Sequence, residues 1–90
     1  MALVGNRLQT VKRVVPSLRP VLGQVLRDAR EEAGMTQEAL AAKAGMDRAY
    51  ISEIERGKAS PSVDRLFRIC RAMDVRASTI LARVEKLSAT

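Results

Sequence analysis

The stretch Gly34-Met35-Thr36-Gln37-Glu38-Ala39-Leu40-Ala41-Ala42-Lys43-Ala44-Gly45-Met46-Asp47-Arg48-Ala49-Tyr50-Ile51-Ser52-Glu53-Ile54-Glu55-Arg56-Gly57-Lys58 decides how this chain folds. It reads as two short helices joined by a tight turn. Thr36 is a good N-cap for a helix through Ala44, with Gly45 as its stop. Asp47 caps the next helix, which runs to about Arg56 before Gly57. Two helices that cross steeply need a small residue at the crossing, and Ala41 supplies it. The turn wants a positive φ, which Gly45 adopts without a Cβ clash. Leu40, Ala44, Met46, Ile51 and Ile54 fall on the inward side. Arg48, Ala49, Ser52, Glu53 and Arg56 fall on the outward side of the second helix and are polar or short, as entry into a DNA groove requires. Two readings stand at this point: a DNA-binding helix-turn-helix and an ordinary helical hairpin in a small bundle.

Helical signals continue on both sides. Residues 20–33 open with Pro20 at a first helical position. They carry the apolar stripe Leu22, Val25, Leu26, Ala29 and Ala33 and stop at Gly34. Ser60-Pro61 reads as an N-cap followed by Pro, starting a fourth helix to about Met73 with Val63, Leu66, Phe67, Cys70 and Met73 inward. A fifth helix runs from about Ala77 to Leu87, with Ser78 a better cap than Arg76. Asp74 follows the fourth helix at a turn that suits αL, which Asp tolerates better than most residues. Pro16 and Pro20 bracket a break. Residues 1–15 are ambiguous between a helical stripe (Leu8, Val11, Val15) and extended structure favoured by β-branched Val11, Val14 and Val15. The expected fold is all-α with five helices. A basic arm spans 1–19 and the helical domain 20–90, with the helix-turn-helix at 37–56 and a terminal helix at 77–87.

Composition excludes several classes. Ninety residues hold one small core. There is no His and one Cys, so zinc ligation of the usual kind, an internal disulfide and His-activated nucleophiles are out. Tyr50 and Phe67 are the only aromatic residues, too few for a base-stacking platform. No catalytic constellation, metal site or cofactor motif appears, and an enzyme is not expected. Glu31 and Glu32 beside Arg27 and Arg30 read as a solvated helix face. No apolar run is long enough for a signal peptide or a membrane span, so a soluble cytoplasmic, nucleoid-associated protein with no membrane partner is expected.

The net charge is +6, which favours an anionic partner, nucleic acid first. It is unevenly spread. Residues 1–20 carry Arg7, Lys12, Arg13 and Arg19 and no acid. Residues 21–74 carry nine basic and nine acidic residues and are neutral. Residues 75–90 carry Arg76, Arg83 and Lys86 against Glu85. Contacts from the neutral centre must therefore come from placed residues. The basic ends read as DNA-directed or as solubilising tails. For the arm a DNA-reaching segment, a dimerisation element and a disordered leader all stay open.

Residues 21–75 resemble the lambda-repressor/Cro-like (XRE) helix-turn-helix family of bacterial and phage regulators. The resemblance rests on Arg27 and Arg30, the run Gly34 to Ala41, Gly45, the run Ile51 to Lys58, Pro61-Ser62-Val63 and Arg71 to Val75. It is nearest to short stand-alone members such as restriction–modification controller proteins. Asp74 departs from the family's usual Gly. The resemblance implies a sequence-specific regulator of transcription that binds double-stranded DNA as a homodimer on a palindromic operator. RNA polymerase is a further candidate partner, and an antitoxin of a toxin–antitoxin pair is the alternative. The DNA-binding positions it implies are Thr36, Gln37, Asp47, Arg48, Ala49, Ser52, Glu53, Arg56 and Lys58, with Gln37 on a phosphate and Arg56 and Lys58 flanking the backbone. It also puts Arg30 and Glu55 where the family keeps a structural ion pair.

Side-chain chemistry gives these positions roles. Arg48 can reach guanine O6 and N7 with two parallel bonds, and Ala49 is short enough to meet a thymine methyl. Glu53 can accept from cytosine N4, orient Arg48 or exclude wrong bases. Tyr50 points away from the groove by helical phase, and Cys70 reads as a buried inert thiol. The fifth helix has more apolar surface than one core face needs. Ile80, Leu81, Val84 and Leu87 are the expected dimer residues, with Val84 and Leu87 packing on a second chain. With no sensor segment in view, control by protein concentration and dimerisation is expected.

Overall fold

The computed structural model describes residues 17–88; the basic arm expected at 1–19 therefore lies largely outside the described residues. Within them the chain forms five helices and no strand: α1 Arg19–Glu32, α2 Gln37–Ala44, α3 Arg48–Glu55, α4 Val63–Ala72 and α5 Ala77–Ser88. α1 packs on α3 and α5, α2 on α3 and α4, and α4 on α5, so each helix covers part of one shared core. Val25, Leu26, Leu40, Ile51, Ile54, Ile69 and Ile80 lie at its centre. Burial of such side chains contributes roughly 1.5–3 kcal/mol each.

The turns obey the local chemistry. Thr36 Oγ1 accepts from the Ala39 N–H at 3.0 Å and starts α2. Gly45 closes it at φ 69°, the left-handed region where a Cβ is costly. Asp74 takes the same region at φ 58° between α4 and α5, so the turn survives without glycine. Asp47 occupies the N-cap of α3 with extended backbone, but its side chain makes no capping bond.

α4 differs from the sequence expectation. It starts at Val63, with Ser62 Oγ rather than Ser60 accepting from the Arg65 N–H at 3.2 Å. Its buried stripe is Leu66, Ile69, Cys70 and Met73. Phe67 stands a 100° step from Leu66, off that stripe, and Val63 is the first helical residue, before the stripe begins. Both are exposed, at 56% and 70%. Ile69, which the sequence reading left out, fills the inward place. α5 begins at Ala77, so Ser78 lies inside the helix; the Arg76 carbonyl accepts from Thr79 and Ile80 instead.

The apolar surface of α5 also divides differently. Ile80 and Val84 are buried in their own protomer, at 0% and 4% exposure. They therefore serve the core of their own protomer, where the sequence expectation set them among the dimer residues. The stripe Ala77-Ile80-Val84 faces α1 and α4 because it repeats at helical spacing. Leu81 and Leu87 remain exposed. An exposed ion pair, Arg83 Nη1 to Glu32 Oε1 at 3.4 Å, crosses from α5 to α1. Among the described residues, no helix is long and apolar enough to cross a membrane.

Candidate nucleic-acid interface

α3 is held from behind by three devices. Ile51 and Ile54 seat one face in the core, each 2% exposed. α1 crosses that face at Gly23, where an added Cβ would fall on the backbone carbonyls of Ile54 and Glu55. Only glycine permits the approach. The third device is Glu55. Arg30 of α1 donates from Nε to its Oε2 at 2.7 Å and from Nη2 to its Oε1 at 3.0 Å. Arg30 Nη1 donates to the Met35 carbonyl at 2.8 Å. The side chains are 11% and 4% exposed, so the pair is desolvated but bidentate. The hydrogen bonds to Glu55 raise the guanidinium's already high pKa further, against the opposing pull of burial.

Gln37, the first residue of α2, joins this network: its Nε2 donates to Glu55 Oε1 at 3.0 Å. One carboxylate thus ties together α1, α2 and α3. The amide expected to meet a phosphate is anchored on its inner side by the carboxylate that holds Arg30.

The opposite face of α3 is open. Arg48, Ala49 and Glu53 are exposed and Ser52 is half-buried. Arg56 caps the helix and donates from Nε to the Ser52 carbonyl at 3.4 Å. Lys58 is exposed, and its backbone N–H donates to the Glu53 carbonyl at 2.8 Å, which folds the loop back beside α3. Thr36 and Gln37 lie at the start of α2, so Thr36, Gln37, Asp47, Arg48, Ala49, Ser52, Glu53, Arg56 and Lys58 belong to two helix starts, one helix face and one loop. Arg48 does not pair with Glu53. Its Nε lies 3.1 Å from Glu38 Oε2 of α2.

Two residues of α4 that the sequence reading passed over complete the frame. Arg68 Nη2 donates to the Ala44 carbonyl at 2.9 Å and to the Gly45 carbonyl at 3.0 Å. These bonds satisfy the end of α2, where a cation also suits the helix dipole. Arg65 lies over the Tyr50 ring, 5.2 Å from its centroid, so half-buried Tyr50 faces α4 rather than the open side of α3. The signal for Arg68 lay 24 residues from its partner in sequence, and no local pattern marks it. Cys70 is buried, and burial pushes its thiol up, away from reactive thiolate.

Two short helices joined at a left-handed glycine, the second locked from behind and polar in front, define a helix-turn-helix domain. Residues 26–80 match the family model described as "Helix-turn-helix", and the chain belongs to this family of DNA-binding transcription regulators. Transcriptional regulator ClgR of Mycobacterium tuberculosis is 38% identical over 78 residues, covering 79% of this chain and 70% of that protein. The crystal structure of the clp gene regulator ClgR from C. glutamicum superposes with a TM-score of 0.77 at 32% identity, covering 83% of this chain and 97% of that one. The restriction-modification controller protein C.Esp1396I, solved as a tetramer in complex with its natural 35 base-pair operator, superposes at 0.74 and 32% identity. That match covers 84% of this chain and all of the controller.

Proposed function

We propose that the chain is a sequence-specific regulator that binds double-stranded DNA as a homodimer, with α3 in the major groove of a palindromic operator. The observation that carries this is the division of α3. Its rear is fixed by Ile51, Ile54 and Glu55, and its front offers Arg48, Ala49, Ser52 and Glu53. A rigid helix with a short, polar front suits reading of base edges. In this reading Arg48 takes guanine O6 and N7, Ala49 meets a thymine methyl and Glu53 discriminates among bases. Asp47 flanks Arg48 at the helix start. Thr36, Gln37, Arg56 and Lys58 set the register on the phosphates.

A single recognition helix reads too few base pairs to select a genomic site, which argues for two copies about a twofold axis. The exposed apolar residues of α4 and α5 offer apolar surface to a second copy. Phe67 and Ser78 line one open groove, and Leu81 lies one turn on from Ser78. Leu81 and Leu87, with Phe67, replace Val84 as the residues that meet a second chain. The controller solved on its operator is a tetramer, which is consistent with assembly on DNA.

The experiment is selection of bound duplexes from a randomised library. Two inverted half-sites with centres about one helical turn apart are expected. An asymmetric single site would sink the homodimer reading. Leu81→Glu with Leu87→Glu should sediment as a folded monomer with weaker operator binding; a dimeric double variant would move the interface off α5.

A further inference from the structure

Arg48 is the residue best placed to read a base, and in the unbound protein a carboxylate lies beside it. Glu38, in the first turn of α2, meets it at the Nε edge, 3.1 Å away. Both side chains are more than half exposed. None of the hydrogen bonds among the described residues involves Arg48, so Glu38 holds it by charge and not by a directed bond. The nearest approach is on the Nε side, and the terminal nitrogens make no hydrogen bond among these residues. Those nitrogens are the two groups that would bond guanine O6 and N7 in parallel.

An unrestrained surface arginine has many rotamers, and on arbitrary DNA its easiest partner is a phosphate. Swinging Arg48 to a phosphate would strand the Glu38 carboxylate beside a polyanion. On a duplex with guanine at the right place, the guanidinium can stay beside Glu38 while its terminal nitrogens engage the base. The same carboxylate thus favours one complex and penalises the other.

We propose that Glu38 is a specificity-determining residue of this face, which presents Arg48 to a base and penalises its use on phosphates. The inference rests on the base-reading role given to Arg48 above. It is tested by competition anisotropy with the full chain. The probes are the duplex enriched by the wild-type chain from a randomised library and a shuffled duplex of the same composition.

Glu38→Gln keeps the shape and removes the charge. The preference for the enriched duplex should fall about two- to fivefold, mainly through tighter binding to the shuffled one. An unchanged or increased preference overturns the proposal. Glu38→Asp keeps the charge and shortens the reach, so preference should fall through weaker binding to the enriched duplex. Preference at the wild-type level in Glu38→Asp overturns the presenting role. In an Arg48→Ala background, Glu38→Gln should tighten both duplexes alike and leave the preference unchanged; a full loss of preference there means that Glu38 acts without Arg48, which also overturns the proposal.

Arg48→Ala by itself separates the two levels. If it leaves base preference intact, the docking register fails and Glu38 falls with it. If it relaxes one position while Glu38→Gln has no effect, the Glu38 proposal alone fails.

Discussion

α3 contributes one partner to each of two Arg–Glu pairs, and the two behave as different objects. At its end, Glu55 takes two hydrogen bonds from Arg30, with both side chains almost removed from water. At its start, Arg48 lies 3.1 Å from Glu38 in an ion pair without a hydrogen bond, with both side chains more than half exposed. The residue types are the same. In the first pair, withdrawal of either partner strands a buried charge, so the pair fixes the fold. In the second, water stands ready to solvate either partner, so breaking the pair costs little and leaves Arg48 available to DNA. Burial decides which pair is structural and which is exchangeable.

The largest expected effect is at the buried pair. Arg30→Met or Glu55→Leu should each lose about 3 kcal/mol in denaturant melts. The double variant should lose clearly less than the two losses added together. Strict additivity would break the contrast, since it would mean that the buried pair is no more coupled than an exposed one.

Gly23→Ala comes next, at about 1–3 kcal/mol, because the obstacle is backbone of α3 and not a movable side chain. A thermal melt at the wild-type midpoint would show that α1 can slide away, and that Arg30–Glu55 alone fixes the crossing. Arg68→Met should cost about 1 kcal/mol, by leaving the Ala44 and Gly45 carbonyls without their partner. Arg68→Lys should recover part of it, being a donor without the planar fork.

The smallest stability effect belongs to the exposed pair. Arg48→Met should change stability by no more than about 0.5 kcal/mol while Arg48→Ala costs about 1–3 kcal/mol on the operator. A loss of stability similar to that of Arg30→Met would erase the distinction between the two ends of α3.

Five helices, the αL turns at Gly45 and Asp74, the buried Ile51 and Ile54 and the pairing of Arg30 with Glu55 were all legible in the order of residues. Each is written locally, in caps, glycine placement and apolar spacing, or in motif residues whose resemblance reaches across 25 positions. Tertiary structure alone decided which apolar residues of α4 and α5 are covered. Phe67 fits a helical stripe on paper, yet the neighbouring helices lie over Leu66, Ile69 and Cys70 and leave it out. Val84 fits an interface stripe, yet α5 turns it onto its own core. The partners of Gln37, Arg48 and Arg68 were likewise settled by the crossing of helices. Periodicity specifies a helix face, but it does not say which neighbour occupies the space in front of it. That is set by the angles at which helices meet, and here a missing Cβ at Gly23 brings α1 close to α3.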